Sequence, residues 1–362
     1  MEKYRTLVIG CGWRGSLHSE AVANHPRFDL VGTCDIDIAK ADNIADKYGV
    51  DKSARFVSSE EAIKTLKPDV VINGAWPGDR WLIYDQCAEN GVRHLVSEKP
   101  FAKERAGVLH MKHTAETSDC SLSFTHQRRF SPGNIRIREL LAAGAVGKVT
   151  RLDLLAFRHL LDCGVHTLDL VSSYFGEIKV KRVLGALDMK GKVNWFRVPA
   201  EGSFNGTLIY DAPEGSLFSG YNNEITASML VGANMGRPDE SGVNIYGTRG
   251  FMELGWEGNL FRYFSADMQS ELDEHAKLTP GDCESGNIHR MWDYLADVFD
   301  GREKDNILDW RHGYYAAEIL FALYESVRRG EWIDMDEYEA SAATPDERFS
   351  PDPFGDILKA RS

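Results

Sequence analysis

Apolar residues between positions 4 and 125 fall into short continuous runs, separated by stretches in which they recur at helical spacing. Runs beginning at Tyr4 and spanning Phe28–Cys34, Asp69–Asn73, His94–Ser97 and Ser121–Thr125 read as strands. Between them, Ala41, Ile44, Ala45 and Tyr48 lie at i, i+3, i+4 and i+7, and Gly49 closes that helix. Ser58 and Glu61 are spaced as a capping box ahead of Ala62, Ile63 and Leu66. Helices with Trp81, Leu82, Tyr84 and Ala88, and from Lys103 to Thr117, complete the alternation, which predicts a parallel sheet with covering helices.

After Thr125 the texture changes. A helix over 133–143, a strand over 148–157 and a helix from Asp162 to Phe175, stopped by Gly176, are predicted first. From Ile178 to about Ala266 come β-rich runs with turn glycines and no intervening helix: 180–187, 203–210, 217–221, 226–231, 243–247, 251–254 and 260–264. These predict a large open, mainly antiparallel, mostly up-and-down sheet. One face would carry helices and the other would be free to join a homodimer or homotetramer. Helices near 288–299 and 314–328 close the pattern. The expected organisation is a parallel-sheet domain over 1–125, an α+β domain over 126–335 and an acidic, Pro-containing arm over 336–362.

Composition narrows the partners. A chain of 362 residues with 43% hydrophobic and 27% charged residues is long enough for two cored domains. The formal charge of −13 argues against nucleic acid and anionic membranes. Six scattered cysteines without a C-x-x-C pair suggest reduced thiols. No signal peptide and no bilayer-length apolar run are visible, so a cytoplasmic protein is expected.

Three stretches carry chemistry. Gly10-Cys11-Gly12-Trp13-Arg14-Gly15 follows the first strand and opens a helix, the context in which Gly-x-Gly-x-x-Gly cradles a pyrophosphate. Asp35, twenty residues past Gly15, ends the next strand, where a carboxylate would hold ribose hydroxyls. Ala75-Trp76-Pro77 is the loop at the carboxyl end of a central strand, another cofactor-contacting position. Glu98-Lys99-Pro100 places an amine at a strand tip, as a catalytic group or as a charged strand end. Asp162 and His166 are four apart on one helix: a carboxylate-oriented general base, or an N-cap beside a satisfied histidine. His110 and His113 have no companions to complete a metal set, and no metal is expected.

In this order, these stretches together with Gln127-Arg128-Arg129-Phe130-Ser131-Pro132 resemble the Gfo/Idh/MocA oxidoreductases over most of the chain. The resemblance implies a Rossmann domain, an α/β domain with a large open antiparallel sheet, and a substrate between them over the nicotinamide. It further implies an NAD(P)-dependent enzyme acting on a secondary hydroxyl of a sugar, polyol or related cyclic compound. His166 would take the hydroxyl proton, Asp162 would orient it, and Lys99 would steady the alkoxide. Gln127 and Arg128 would lie near substrate. Asp35 would repel a 2′-phosphate and favours NAD, while Lys40 leaves NADP open.

The chain departs from the family pattern twice. Pro77-Gly78-Asp79-Arg80-Trp81 stands where members often show Pro-Asn-x-x-His, and only Arg158-His159-Leu160-Leu161 precede Asp162, where many carry a longer glycine-containing loop. Arg158 or His159 would then fill the vacated space, or the pocket would be more open or larger. Two other readings remain: tightly held NAD that transiently oxidises a glycoside before elimination, and a non-catalytic dinucleotide-binding regulator.

Overall fold

The computed structural model of the chain describes residues 2–176, 178–188, 193–195, 198–220, 222–232, 241–278 and 283–341. The chain divides into two compact units, one of residues 1–127 with 284–314, the other of 128–283 with 315–362. The segment Glu284–Tyr314, which follows the β-rich stretch in sequence, thus belongs to the first unit.

The first unit alternates β1 (Tyr4–Ile9), α1 (Trp13–Asn24), β2 (Phe28–Cys34), α2 (Ile38–Tyr48), β3 (Arg55–Phe56), α3 (Ser59–Leu66), β4 (Val70–Asn73), α4 (Arg80–Glu89), β5 (His94–Ser97), α5 (Arg105–Thr117) and β6 (Ser121–Phe124). The strands form one all-parallel sheet in the order β3-β2-β1-β4-β5-β6. That is the doubly wound order whose ligand crevice opens where it reverses, at the carboxyl ends of β1 and β4. Leu7, Val8, Val70, Val71, Ile72, Leu95 and Val96 are fully buried, as expected of strands covered on both faces. Local signals behave as their chemistry predicts. Ala41, Ile44 and Ala45 face the core, Gly49 adopts φ +73° at the end of α2, and the Ser58 hydroxyl accepts from the Glu61 N–H at 3.4 Å.

The second unit opens with α6 (Pro132–Ala142) and β7 (Val149–Ala156). A π-helical turn, Leu160–Gly164, then leads into α7 (Val165–Phe175). Strands β8 (Val180–Asp188), β9 (Val193–Trp195), β10 (Val198–Ala200), β11 (Ser203–Asp211), β12 (Glu224–Gly232), β13 (Gly242–Gly247), β14 (Gly250–Leu254) and β15 (Leu260–Ser265) precede α8 (Gln269–His275). Helix α9 is Cys283–Phe299, α10 is Trp310–Arg329, and β16 (Ile333–Asp334) with α11 (Met335–Ala340) ends the described chain. The arm expected over 336–362 therefore begins as α11, and everything from 342 lies outside the described residues.

Eight strands form a mixed sheet in the order β15-β14-β13-β7-β12-β11-β8-β16. It is mainly antiparallel, as expected, but not a simple up-and-down meander. β7 inserts between β12 and β13 and runs parallel to β12. Of the run 217–221, residue 221 lies outside the described residues, and 217–220 form only an isolated bridge, with two backbone bonds to Val149, at Leu217 and Ser219. A Pro213–Ser216 turn sits on one side, and on the other Gly220 passes so close to Glu224 that a Cβ would stand 1.6 Å from its carbonyl oxygen. Buried Leu320, Leu323, Tyr324 and Val327 from α10 belong to the core of this unit.

Candidate active site

In the first unit the Gly-rich turn is built by close approach. Gly10 has φ +86°, and a Cβ there would lie 2.5 Å from the Ala75 nitrogen; one at Gly15 would lie 2.0 Å from the Gly10 carbonyl oxygen. A Cβ at Gly12 would meet nothing within 4 Å. Glycine at 10 and 15 is thus required by the protein's own backbone, while Gly12 borders open space. Gly12 caps α1 without a side-chain hydrogen bond, so the first amides of that helix are not capped by a side chain. Cys11 beside it is a buried thiol whose pKa burial pushes up to about 12. Asp35, half-buried at the end of β2, accepts the Cys11 N–H at 2.7 Å and the Asp37 N–H at 2.9 Å. These bonds hold the carboxylate against the turn. Lys40 pairs with Asp37 at 3.7 Å. The open space at Gly12, the N-terminus of α1 and Asp35 fit a dinucleotide.

Trp13 is 66% exposed, whereas Arg14 turns inward. Its Nε donates to Glu98 at 2.9 Å and Nη1 to Glu284. Gln127, with its amide nitrogen toward the Thr125 carbonyl (2.7 Å), takes Nη2 on its oxygen at 3.2 Å. The side chains of Arg14, Glu98 and Gln127, expected at cofactor or substrate, are thereby engaged with one another; Glu98 and Gln127 are 2% exposed. His18 lies one turn along α1 and bonds the same Glu98 oxygen at 2.8 Å, and Trp292 Nε1 donates to His18 Nδ1 at 3.1 Å. Burial alone would raise the Glu98 carboxyl; the Arg14 charge, the His18 hydrogen bond and the neighbouring Lys99 outweigh it and hold it well below the usual carboxylate range.

Lys99 follows at the tip of β5, half-buried, and its bond to Pro100 is cis. The other side of that turn is braced by Arg80, a residue whose role was not legible in the sequence. Arg80 is 4% exposed, donates to the Pro100 carbonyl and reaches the Ala75 carbonyl at 3.2 Å. Burial lowers its pKa to about 10, so it stays charged near neutrality. Asn73 completes the brace, accepting from the Ala75 N–H at 3.2 Å. Trp76 packs on Gly78, where a Cβ would come within 2.3 Å of the indole, and the Lys103 ammonium lies over its ring at 5.3 Å. Pro77 is buried.

In the second unit Asp162 lies in the π turn and His166 in the first turn of α7, so the single helix expected from Asp162 is two segments of different pitch. Gly164 N–H bonds the His159 carbonyl five residues back, at 3.3 Å. Gly164 is suited to that turn, since a Cβ would meet Leu160 at 2.6 Å and Met229 at 3.0 Å. Such π turns recur at functional sites. Both residues are nearly enclosed, at 9% and 4% exposure. Arg158 adopts φ +84° and extends its guanidinium to Asp162 at 3.2 Å. His159 is turned into the unit. It is 1% exposed and caps the π turn, its Nδ1 accepting the Asp162 N–H at 3.2 Å.

Three further groups fix the elements around this helix, and one of them touches His166. Asp169, one turn along α7, holds Arg129 in a buried pair, with Nε at 3.0 Å and Nη2 at 2.7 Å from one carboxylate oxygen. Glu201, 1% exposed, accepts from the Leu160 N–H at 2.6 Å and the Tyr324 hydroxyl at 3.0 Å. Trp256 sets its ring 5.8 Å from the His166 ring and 5.1 Å from Phe157, with the Arg128 guanidinium 4.0 Å over it and paired to Glu257. Arg129 and Asp169 lie in stretches whose sequence already stands out, though without a role for either; Glu201 and Trp256 carry no local signal. Among the described residues no cluster of His, Cys, Asp or Glu could hold a metal, and no helix is long and apolar enough to cross a membrane.

Comparison with known proteins agrees with this architecture. D-glucoside 3-dehydrogenase of Escherichia coli (strain K12) is 24% identical over 199 residues, 49% of this chain and 56% of that protein. Trans-1,2-dihydrobenzene-1,2-diol dehydrogenase of Xenopus tropicalis is 33% identical over 114 residues, 31% of this chain and 33% of that protein. The chain spans about half the length, or less, of the curated relatives it matches. An inositol dehydrogenase homolog from Azotobacter vinelandii, solved with NADH and myo-inositol, superposes with a TM-score of 0.72 at 18% identity, over 92% of this chain and 98% of that one. The WlbA dehydrogenase of Bordetella pertussis, solved with NADH and UDP-GlcNAcA, gives 0.73 at 19% identity, over 92% and 99%. At these identities the solved structures establish the fold. Residues 4–126 match the oxidoreductase family's NAD-binding Rossmann fold and residues 153–335 its C-terminal alpha/beta domain, so the chain belongs to the Gfo/Idh/MocA oxidoreductase family.

Proposed function

We propose that the protein is an NAD-dependent dehydrogenase acting on a secondary hydroxyl of a sugar, polyol or related cyclic compound. The observation that carries this reading is the framing of Lys99. Its neighbours on both sides are locked, Glu98 by α1 and Pro100 by Arg80, at the strand edge that carries the Gly10–Gly15 turn. A lysine whose two neighbours are both fixed at that edge suits a developing alkoxide better than it suits a charged strand end. The relatives support the substrate class, since a glucoside dehydrogenase and a dihydrodiol dehydrogenase both act on ring hydroxyls by name.

In this reading Gly12, the first amides of α1 and Asp35 hold the dinucleotide, and loop 75–77 lines it. The nicotinamide, when bound, supplies the hydride acceptor or donor. His166 takes the hydroxyl proton, with Asp162 orienting the imidazole, and Lys99 stabilises the oxygen as it gains charge. Arg158 lies beside the proton-accepting pair through Asp162 and shapes the substrate end, as do Arg128 and Trp256.

The test is NAD reduction by the purified protein across polyols, aldoses and glycosides. Stoichiometric NADH with one substrate is expected. Lys99→Ala and His166→Asn should each lower kcat by roughly 10²–10⁴-fold. Glycoside cleavage without net NADH would replace this reading with a cofactor-recycling eliminase. Full activity in His166→Asn would remove the histidine from the mechanism.

A further inference from the structure

We propose that Trp292 and His18 are positioning residues for Lys99, acting through Glu98 by fixing which imidazole nitrogen carries the hydrogen. This rests on the assignment of Lys99 to the reacting hydroxyl made above.

The argument begins with the donor inventory. An indole Nε1–H donates and never accepts, so His18 Nδ1, 3.1 Å from it, presents a lone pair. In the neutral ring the hydrogen then resides on Nε2, 2.8 Å from Glu98 Oε1, and points at the carboxylate. Remove the indole N–H and Nδ1 is left buried without a donor, so the carboxylate alone holds Nε2–H and the ring can turn toward another partner, loosening its bond to Glu98. Trp292, His18 and Glu98 are 0%, 0% and 2% exposed, so bulk solvent does not reach these groups and each bond among them counts for more. The indole is itself held by an edge contact to Phe28, with centroids 5.0 Å apart.

Glu98 Oε1 thus receives two donors from one side of α1, Arg14 and His18, four residues apart. These bonds fix the side chain of the residue that precedes Lys99, while Arg80 fixes the carbonyl of the residue that follows it. With both neighbours clamped, the backbone from which the lysine's stem leaves is held in place. Trp292 enters this chain of bonds from α9, 193 positions after Lys99.

Three variants test the idea: Trp292→Phe, His18→Gln and the two combined. A glutamine amide cannot tautomerise, so it keeps a donor on Glu98 whether or not Trp292 donates. Imidazole ¹⁵N shifts of the wild type should show hydrogen on His18 Nε2, and Trp292→Phe should lose that pattern. After reductive ¹³C-methylation, the Lys99 resonance, assigned by its loss in Lys99→Arg, should move in Trp292→Phe and hold its wild-type position in His18→Gln. Activity should follow: about a 10-fold loss in kcat for Trp292→Phe with KM for NAD within about twofold, and near-wild-type rates for His18→Gln alone and combined. Hydrogen on Nδ1 in the wild type, or a Lys99 resonance indifferent to Trp292→Phe, overturns the proposal. A wild type that oxidises none of the substrates sinks the dehydrogenase reading alone, because both resonance measurements are made without substrate.

Discussion

Gly12 and Gly15, three positions apart, are required for different reasons. A methyl at Gly15 would press on the Gly10 carbonyl at 2.0 Å, whereas one at Gly12 would meet no protein atom. Gly15→Ala is therefore expected to unfold or badly destabilise the first unit. Gly12→Ala, at φ −70° and ψ −165°, needs no strained backbone. It should melt within a degree or two of wild type yet bind NADH about tenfold more weakly, as read by fluorescence titration. Equal loss of stability in both variants would mean that the space at Gly12 belongs to the fold and not to a ligand. At this scale the motif glycines and Asp35 were legible because backbone geometry leaves few alternatives to glycine, and because a strand-end carboxylate has a fixed sequence offset. Arg80 was not. A buried arginine is recognised only by the carbonyls it meets, and those at Ala75 and Pro100 come from two different loops.

At the scale of elements, α7 is anchored by side chains on either side of His166. The Arg129–Asp169 pair is 5% and 1% exposed, so Asp169→Asn strands a buried guanidinium and should cost about 3–5 kcal/mol by urea denaturation. A loss below about 1 kcal/mol would mean that the pair is solvated in solution. Glu201 behaves differently. Burial raises its pKa despite the Leu160 and Tyr324 donors. A carboxyl raised on folding contributes stability below its unfolded pKa of about 4.3 and loses it as pH rises through the folded value. Glu201→Gln should therefore compare more favourably with wild type at pH 8 than at pH 5; a gap that is the same at both pH values would show that Glu201 titrates normally. The helical period announced a helix near Asp162 but not its π turn, since one extra residue per turn leaves the pattern of a short, wholly buried segment unchanged.

For the whole molecule, the wide sheet of the second unit exposes Phe261 and Phe264 on β15, at 42% and 52%, together with the stacked Arg151–Tyr246 pair. We expect this sheet to join copies of the chain, so light scattering should give a multiple of the 40.6 kDa subunit. Charge substitutions at Phe261 and Phe264 should reduce that mass, and a monomeric wild type would refute the expectation. Hydrophobic periodicity and turn residues by themselves determined the alternating strands and helices of the first unit, its Gly-rich turn, and a β-rich second half, because each of those depends on residues within a few positions of one another. Only the tertiary structure decided the rest: β7 lying between β12 and β13, Glu284–Tyr314 returning to the first unit, and the chain of bonds from Trp292 to Glu98. The strand pairings and side-chain bonds among them join residues 75 to 274 positions apart. No local pattern encodes such partners, since the free energy that selects them comes from burying surfaces that meet only once the chain has folded.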